Sequence, residues 1–290
     1  MADLLFGRMH TFIVDTWQDI RSLPGKLATD GEALWVIGLT LLPWGILFVR
    51  KFDINELGQL GGLIGFVAFY WLISHRRAIE PVPVRKPRLE LAAALILIAL
   101  WILYRTGEYW HWFAIPPIDI NACSSTGDAI VLKMVEMVVV PLVLLLALKY
   151  SIHDLGIYWS KPAWLMALAP ILALIALGLS HHPLGQFAIS STCYFFGAGL
   201  PEEFLFRVFL QTRTEAIIHR PVWALWIASF IFGMTHIPID LHGSFSHWQD
   251  ALLTAFTFQM SAGVAFGYAY LRTRNLMPLA LIHTFLDSAL

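Results

Sequence analysis

Nine apolar stretches follow one another along the chain and limit what it can fold into. They lie at about residues 33–49, 57–74, 91–104, 129–148, 163–180, 187–210, 222–236, 251–271 and 277–290. Of the 290 residues, 58% are hydrophobic and 13% are charged, whereas an average soluble domain is about one-quarter charged. The pattern predicts an all-α fold, a polytopic bundle of transmembrane helices with about eight or nine spans.

The positions of lysine and arginine predict how the spans are oriented. If nine spans are assumed and the N-terminus is placed in the cytoplasm, most loop lysines and arginines fall on the cytoplasmic side. The other side receives Arg50, Lys51 and Arg105. Cytoplasmic loops are enriched in these residue types, so the bias favours this orientation. If 33–49 and 57–74 form one re-entrant pair, or 91–104 does not span, the count drops to eight or seven.

Composition divides the chain into three parts. Residues 1–32 alternate charged and apolar residues without the clean apolar core of a signal peptide, which indicates an amphipathic cytoplasmic segment. Residues 33–150 form an N-terminal transmembrane region of unknown role, and residues 151–290 form a second transmembrane region. The net charge of -1 leaves no basic stripe for phosphates, which argues against a nucleic-acid partner.

The stretch GLPEEFLFRVFL at 199–210 places charge inside an apolar segment. Glu203 and Arg207 are spaced i,i+4, so on a helix they face each other and neutralise each other. Glu202 is rotated by about 100° from Glu203 and has no such partner in its own helix. We therefore interpret Glu203 and Arg207 as a structural brace and Glu202 as the working carboxyl.

Ionisable residues in two other spans lie at a similar depth. His236 is near the end of span 222–236, and His283 and Asp287 are spaced i,i+4 in the last span. At about 1.5 Å per residue, the four side chains lie roughly 13 to 22 Å from the presumed cytoplasmic helix ends. Because ionisable groups inside membranes usually face one another or a cavity, we expect them to share one layer of the bundle.

These two carboxyls and two imidazoles could catalyse hydrolysis without a covalent nucleophile. A glutamate beside a histidine can deprotonate a water that attacks a carbonyl. A second histidine can donate a hydrogen bond to the oxyanion that develops. Zinc is an open alternative, because glutamate and histidine are acceptable zinc ligands. It is not favoured, since the chain lacks the HExxH spacing of common zinc proteases, and we expect no cofactor.

These motifs resemble the CPBP family, which comprises type II CAAX prenyl endopeptidases and their bacterial relatives, often called Abi proteins. The family pattern is EExxxR, then FxxxH, then HxxxN or HxxxD. Here it reads Glu202-Glu203 with Arg207, Phe232 with His236, and His283 with Asp287, in that order. The resemblance covers roughly residues 160 to 290, so we assign 151–290 as a CPBP-like catalytic transmembrane domain.

The resemblance implies an intramembrane endopeptidase of the glutamate type. It would cleave a peptide bond near a membrane-embedded terminus of a membrane-associated protein or peptide. By analogy, Glu202 and His236 would activate water, while His283 and Asp287 would form the oxyanion site. Phe232 would support the site together with the Glu203–Arg207 brace. The relatives favour a multi-pass protein of a bacterial plasma membrane, embedded in the lipid bilayer.

Asp287 stands where the prenyl-protease branch of the family has asparagine. An ionised aspartate can only accept hydrogen bonds, whereas asparagine donates them. Asp287 is therefore expected to fix the tautomer of His283, or to be protonated itself. Since bacterial members commonly carry aspartate here, the difference weakens the assignment of a prenylated substrate more than the assignment of a protease.

Two functions of other classes remain open. In a proton-coupled transporter, Glu202, His236 and Asp287 would relay protons, but the sequence shows no repeated half with matching broken helices. A non-catalytic immunity or partner protein would keep the same fold for binding alone. Its motif residues would then carry no chemistry, so replacing Glu202 would leave the phenotype unchanged.

Two further pairs of residues carry structural expectations. Lys133 and Glu136 are spaced i,i+3 in the span at 129–148, so we expect them to neutralise each other. The alternative is a polar path that lines the substrate cavity. Cys123 and Cys193 are the two cysteines of the chain and do not form a metal-binding or disulfide framework. Both are expected to be free, unreactive thiols.

Overall fold

The computed structural model describes residues 14–15, 17–22, 30–112, 123, 127–243 and 247–289. Within these ranges the chain forms helices joined by turns, and no strand. Six helices of the described part are long and apolar enough to cross a membrane. The predicted all-α, polytopic fold is confirmed. Most of the amphipathic segment predicted at 1–32 lies outside the described residues.

Each apolar stretch of the sequence corresponds to one helix of the described part, and the helices are numbered here in chain order. The first five helices are α1 Gly31–Arg50, α2 Ile54–Ser74, α3 Pro87–Tyr109, α4 at 127–147 and α5 Lys161–His181. The last four are α6 at 184–218, α7 Pro221–Gly243, α8 at 248–273 and α9 Leu276–Ala289.

The starts of several helices follow from local sequence. The side chain of Asp30 accepts a hydrogen bond from the backbone nitrogen of Ala33 at the start of α1, and Ser160 caps α5 in the same way. Such caps satisfy backbone N–H groups that have no partner within the helix. Helices α3 and α7 begin at proline, whose fixed φ suits the first helical position.

Three helices contain π-helical segments with a wider turn. They are Met134–Val139 in α4, Phe195–Gly199 and Phe204–Gln211 in α6, and Ala255–Gln259 in α8. Between the two segments of α6 lies a single α-helical turn, Leu200–Glu203. π-helical segments change the direction in which side chains point and are frequent at functional sites.

Helix α6 is the core of the bundle, and residues 201–214 of it are all buried. It is surrounded by α3, α4, α7 and α9, while α8 packs along α7. A polar cluster fastens it to α3, because Arg213 Nε donates a hydrogen bond to Glu90 Oε2 at 2.8 Å. The hydroxyl of Tyr150 also donates to Glu90, at 2.9 Å. The N-terminal region therefore fixes the helix that carries both glutamates.

The prediction of free thiols is wrong. Cys123 and Cys193 form a disulfide, with their Cα atoms 5.7 Å apart. The two residues are 70 positions apart in the chain, so their proximity depends on packing that the sequence does not display. The bond joins the segment that precedes α4 to the first part of α6.

Candidate active site

A close approach of two helices brings the glutamates of α6 beside α9. Gly199 directly precedes the turn that holds Glu202 and Glu203. A Cβ atom at Gly199 would lie 2.3 Å from Thr284 Oγ1 and 2.5 Å from the carbonyl oxygen of Ala280. Only a residue without a side chain allows α6 and α9 to pack this closely.

Glu203 uses both of its carboxylate oxygens, one for a partner within α6 and the other for a partner on α9. Arg207 Nε donates to Glu203 Oε2 at 3.0 Å, and His283 Nδ1 donates to Glu203 Oε1 at 2.8 Å. The Glu203 and Arg207 side chains are fully buried. The predicted Glu203–Arg207 pair is present in the structure. Because Glu203 accepts from Nδ1, the other ring nitrogen of His283, Nε2, is the one available at the site.

The ring of His236 is held in a similar way by its own helix. Its Nδ1 donates to the carbonyl oxygen of Phe232 at 2.9 Å, which leaves Nε2 free to accept a hydrogen bond. The Phe232 ring lies edge-on to the His236 ring at 4.7 Å and to the His283 ring at 6.4 Å. The guanidinium of Arg207 lies 5.3 Å from the Phe232 ring centroid, so Phe232 packs against both imidazoles and against the arginine of the brace.

Glu202 has a partner from another helix. Lys133 Nζ, on α4, donates to Glu202 Oε1 at 2.5 Å, whereas we expected Lys133 to pair with Glu136. The expectation is wrong because spacing within one helix does not show which neighbouring helix lies closest. Glu202 Oε2 faces His283, whose Nε2 is 3.9 Å away. One oxygen of the carboxylate is therefore engaged, and the other points toward an imidazole.

Asp287 lies on the opposite side of the His283 ring from Glu203. Its Oδ2 is 3.5 Å from His283 Nε2. The tautomer of His283 is thus set by Glu203 at Nδ1, and not by Asp287 as the sequence suggested. Nε2 of His283 stands between two carboxylates, those of Glu202 and Asp287.

All four predicted site residues line one cavity of about 290 Å³, namely Glu202, His236, His283 and Asp287. The structure therefore brings together side chains from α6, α7 and α9. It also places at this cavity residues that the motifs do not include, among them Trp101, Arg105, Lys133, Tyr194 and Gln259.

The side chains missed by sequence reasoning come partly from the N-terminal region. The Trp101 ring centroid lies 5.6 Å from Lys133 Nζ and 5.7 Å from the guanidinium carbon of Arg105. Trp101 and Arg105 were missed, whereas the position of Lys133 at the cavity agrees with the alternative of a polar path, since a charge inside an apolar span requires a partner. Gln259 gave a weaker signal, because it lies in the middle of the stretch at 251–271 but carries no charge.

In the described part of the chain, no three histidine, cysteine, aspartate or glutamate side chains are arranged to hold a metal ion. One oxygen that a cation would need, Glu202 Oε1, is in contact with the ammonium of Lys133. A zinc ion of the kind that the sequence left open would have to share the Glu202 carboxylate with Lys133.

Comparison with known proteins gives one match. Residues 183–289 match the family model described as Type II CAAX prenyl endopeptidase Rce1-like. The matched range contains all seven residues of the three motifs and lacks Trp101, Arg105 and Lys133. No match was found among curated proteins or among solved structures.

Proposed function

Because residues 183–289 form an Rce1-like domain of the type II CAAX prenyl endopeptidases, we propose that Glu202 activates a water for peptide-bond hydrolysis inside the membrane. A membrane protease of this general type is what the family match supports. The mechanism is our proposal, and it applies to a bond near a membrane-embedded terminus of the substrate. The observation that carries it is the sharing of one cavity by Glu202, His236, His283 and Asp287.

Glu202 is the general base in this proposal. Its Oε1 is held by Lys133 at 2.5 Å, so Oε2 is the oxygen that accepts the proton of a water. A lone carboxylate in a membrane interior is costly, and the ammonium of Lys133 offsets that cost. His236 assists, because its Nε2 is free to accept the second hydrogen of the same water.

His283 acts on the electrophilic side. Its Nδ1 is bound to Glu203 at 2.8 Å, which orients the ring and leaves Nε2 for the carbonyl oxygen of the scissile bond. In its protonated form His283 donates from Nε2 to the oxyanion of the tetrahedral intermediate, and Asp287, 3.5 Å from that nitrogen, balances the charge. Donors aimed at the developing charge lower the barrier to its formation.

The proposed reaction balances with water as its only co-substrate. The water oxygen bonds to the carbonyl carbon while one of its protons passes to Glu202. Collapse of the tetrahedral intermediate then breaks the C–N bond, and the leaving nitrogen receives the proton from Glu202. The products are a carboxylic acid and an amine, and transfer of the acid proton to the amine gives a carboxylate and an ammonium group. Glu202 returns to its ionised form.

The experiment that tests this function compares membrane proteomes of cells that express the wild-type chain or the Glu202→Gln variant. We expect at least one membrane-associated precursor to keep an uncut terminus in the variant. The matched control is Glu136→Gln, which removes a carboxyl of α4 that does not line the cavity. Identical termini in all three strains contradict the protease assignment and favour a non-catalytic partner protein.

A further inference from the structure

We propose that the active-site cavity opens toward the non-cytoplasmic face of the membrane and takes substrates that present their scissile bond from that face. The inference rests on the proposed function and narrows its substrate class. The cavity must lie toward one face of the bundle, and the side of the membrane on which that face lies must be identified. Two independent observations identify the face.

The cavity residues lie toward the same ends of antiparallel helices. Helices α3, α7 and α9 contribute residues from their C-terminal halves: Trp101 and Arg105, His236 and Ile239, and His283, Leu286 and Asp287. Helices α4, α6 and α8 run the other way and contribute residues from their first part or middle, among them Lys133, Tyr194 and Gln259. We call the face where α3, α7 and α9 end the cavity face.

Exposure of the charged cavity side chains is greater toward the cavity face, whereas Ser288 and Ala289 at the end of α9 are buried. On α9 the exposed fraction rises from 6% at His283 to 29% at Asp287, one turn nearer the cavity face. On α6 the Glu203 and Arg207 side chains, which lie farther from that face, have no exposure. The catalytic groups are thus approached from the cavity face and closed off from the other.

Charge is the first observation that identifies the faces. The loops on the face opposite the cavity hold most of the loop lysines and arginines of the described chain. Hydrogen bonds also join these loops and the adjoining helix ends to one another. Arg85 Nη2 donates to the carbonyl of Lys149 at 3.0 Å, and Arg274 Nη2 donates to Glu215 at 2.7 Å. These loops join α2 to α3, α4 to α5, α6 to α7 and α8 to α9, so their convergence defines one basic face.

The cavity face has few cations. The loop between α1 and α2 supplies Arg50 and Lys51, and the end of α3 supplies Arg105. Arg50 is paired with Asp250 at 3.4 Å, and Arg105 is paired with Glu108 at 2.5 Å. Since cytoplasmic loops carry the excess of lysine and arginine, the basic face is cytoplasmic and the cavity face is not.

The disulfide is the second observation, and it does not depend on charge. Cys123 precedes α4, and Cys193 lies one residue before Tyr194 of the cavity wall. Both cysteines therefore lie in the half of the bundle nearer the cavity face. Disulfides form and persist in oxidising compartments outside the cytoplasm, whereas cytoplasmic thiols are kept reduced. The bond places the cavity face on the side away from the cytoplasm.

The consequence concerns the substrate. A lipid-modified terminus displayed in the cytoplasm would approach the basic face, where Glu203, Arg207 and the Glu90–Arg213 cluster fill the bundle. A chain terminus or juxtamembrane segment on the non-cytoplasmic side reaches Glu202 through the mouth beside Arg105 and Asp287. The substrate class is therefore membrane proteins or peptides cut at a segment exposed outside the cytoplasm.

The test is cysteine labelling in intact cells, which needs no substrate. The two native cysteines are joined, so the full-length chain can carry one added thiol without other changes. Gln249→Cys places it at the start of α8 on the cavity face, and Ala78→Cys places it in the basic loop after α2. Both positions are exposed. A membrane-impermeant maleimide should label Gln249→Cys in intact cells and Ala78→Cys only after permeabilisation.

The opposite labelling pattern, equal labelling of both variants, or labelling of neither in intact cells overturns the inference. These outcomes leave the hydrolytic function untouched, because they measure orientation alone. Conversely, if the labelling is as expected but Glu202→Gln cells show no uncut precursor, the proposed function fails while the orientation stands. A precursor whose uncut segment is digested by protease added to intact Glu202→Gln cells supports both.

Discussion

Lys133 donates a hydrogen bond to Glu202 Oε1 across 2.5 Å, although the two residues are 69 positions apart. The lysine belongs to a region outside the matched family domain. We predict that Lys133→Met lowers kcat by about 100-fold, because a base misplaced by about 1 Å loses that much rate. Lys133→Arg, which keeps the charge and a donor, should recover part of the loss.

Steady-state kinetics of the purified variants check this prediction, with the precursor found by proteomics as substrate. The readout is kcat per folded protein, with the folded fraction measured by circular dichroism, because a loss of folded protein alone lowers the apparent kcat and leaves KM unchanged. Glu136→Gln is the control, because it removes a charge from the same helix away from the cavity. Equal kcat values in wild type and Lys133→Met contradict a positioning role for Lys133.

Glu203→Gln should destabilise the protein more than Glu202→Gln does. The change leaves the buried guanidinium of Arg207 without its charged partner and alters the hydrogen bond that orients His283. Breaking a buried ion pair from one side typically costs about 3–5 kcal/mol. Unfolding by titration with a denaturing detergent, followed by circular dichroism, measures the difference. Equal midpoints for Glu203→Gln and wild type would show that the pair contributes little.

Gly199→Ala should reduce activity by moving α6 away from α9. The added Cβ would lie 2.5 Å from the backbone oxygen of Ala280, which cannot rotate aside. We expect at least a 10-fold loss of kcat, since the shift displaces Glu202 from His283. Gly185→Ala, in the first turn of the same helix, is the control, because its Cβ meets no atom within 4 Å. Full activity of Gly199→Ala would mean that the helix contact does not set the geometry.

Removal of metal ions should leave cleavage unchanged. The proposed mechanism takes its positive charge from Lys133 and its oxyanion donor from His283, while His236 accepts a hydrogen bond from the water, so no step uses a bound cation. Activity of the purified protein after dialysis against a chelator, compared with a sample resupplied with zinc, checks this. Loss of cleavage that zinc restores would contradict the mechanism as written.

The sequence predicted the elements that local patterns determine. Apolar stretches became helices, and the spacing of Glu203 and Arg207 gave the ion pair at 3.0 Å. The similar depth of the ionisable residues in their spans predicted that Glu202 and His283 lie close together, and Glu202 Oε2 is 3.9 Å from His283 Nε2. These predictions succeeded because a charge inside an apolar span has few ways to be satisfied.

The sequence could not supply contacts between distant segments. The partners of Lys133 and of Cys123 depend on how α4 packs against α6, and a spacing rule within one helix gave the wrong partner for the lysine. For Asp287 the sequence left two roles open, to fix the tautomer of His283 or to be protonated itself, and it gave no sign that Glu203 of α6 holds Nδ1 of that ring. Local spacing identifies candidates, and packing between helices chooses among them.

The most direct measurement of the central claim is cleavage by the purified chain in proteoliposomes. Wild type and Glu202→Gln are incubated with the precursor that accumulates in the variant cells, and new termini are read by mass spectrometry. We predict a new carboxylate and a new amine at one site with wild type, and a rate lower by about 10²- to 10⁴-fold with Glu202→Gln, as for loss of a general base. Cleavage at the wild-type rate by a folded Glu202→Gln protein would contradict the account.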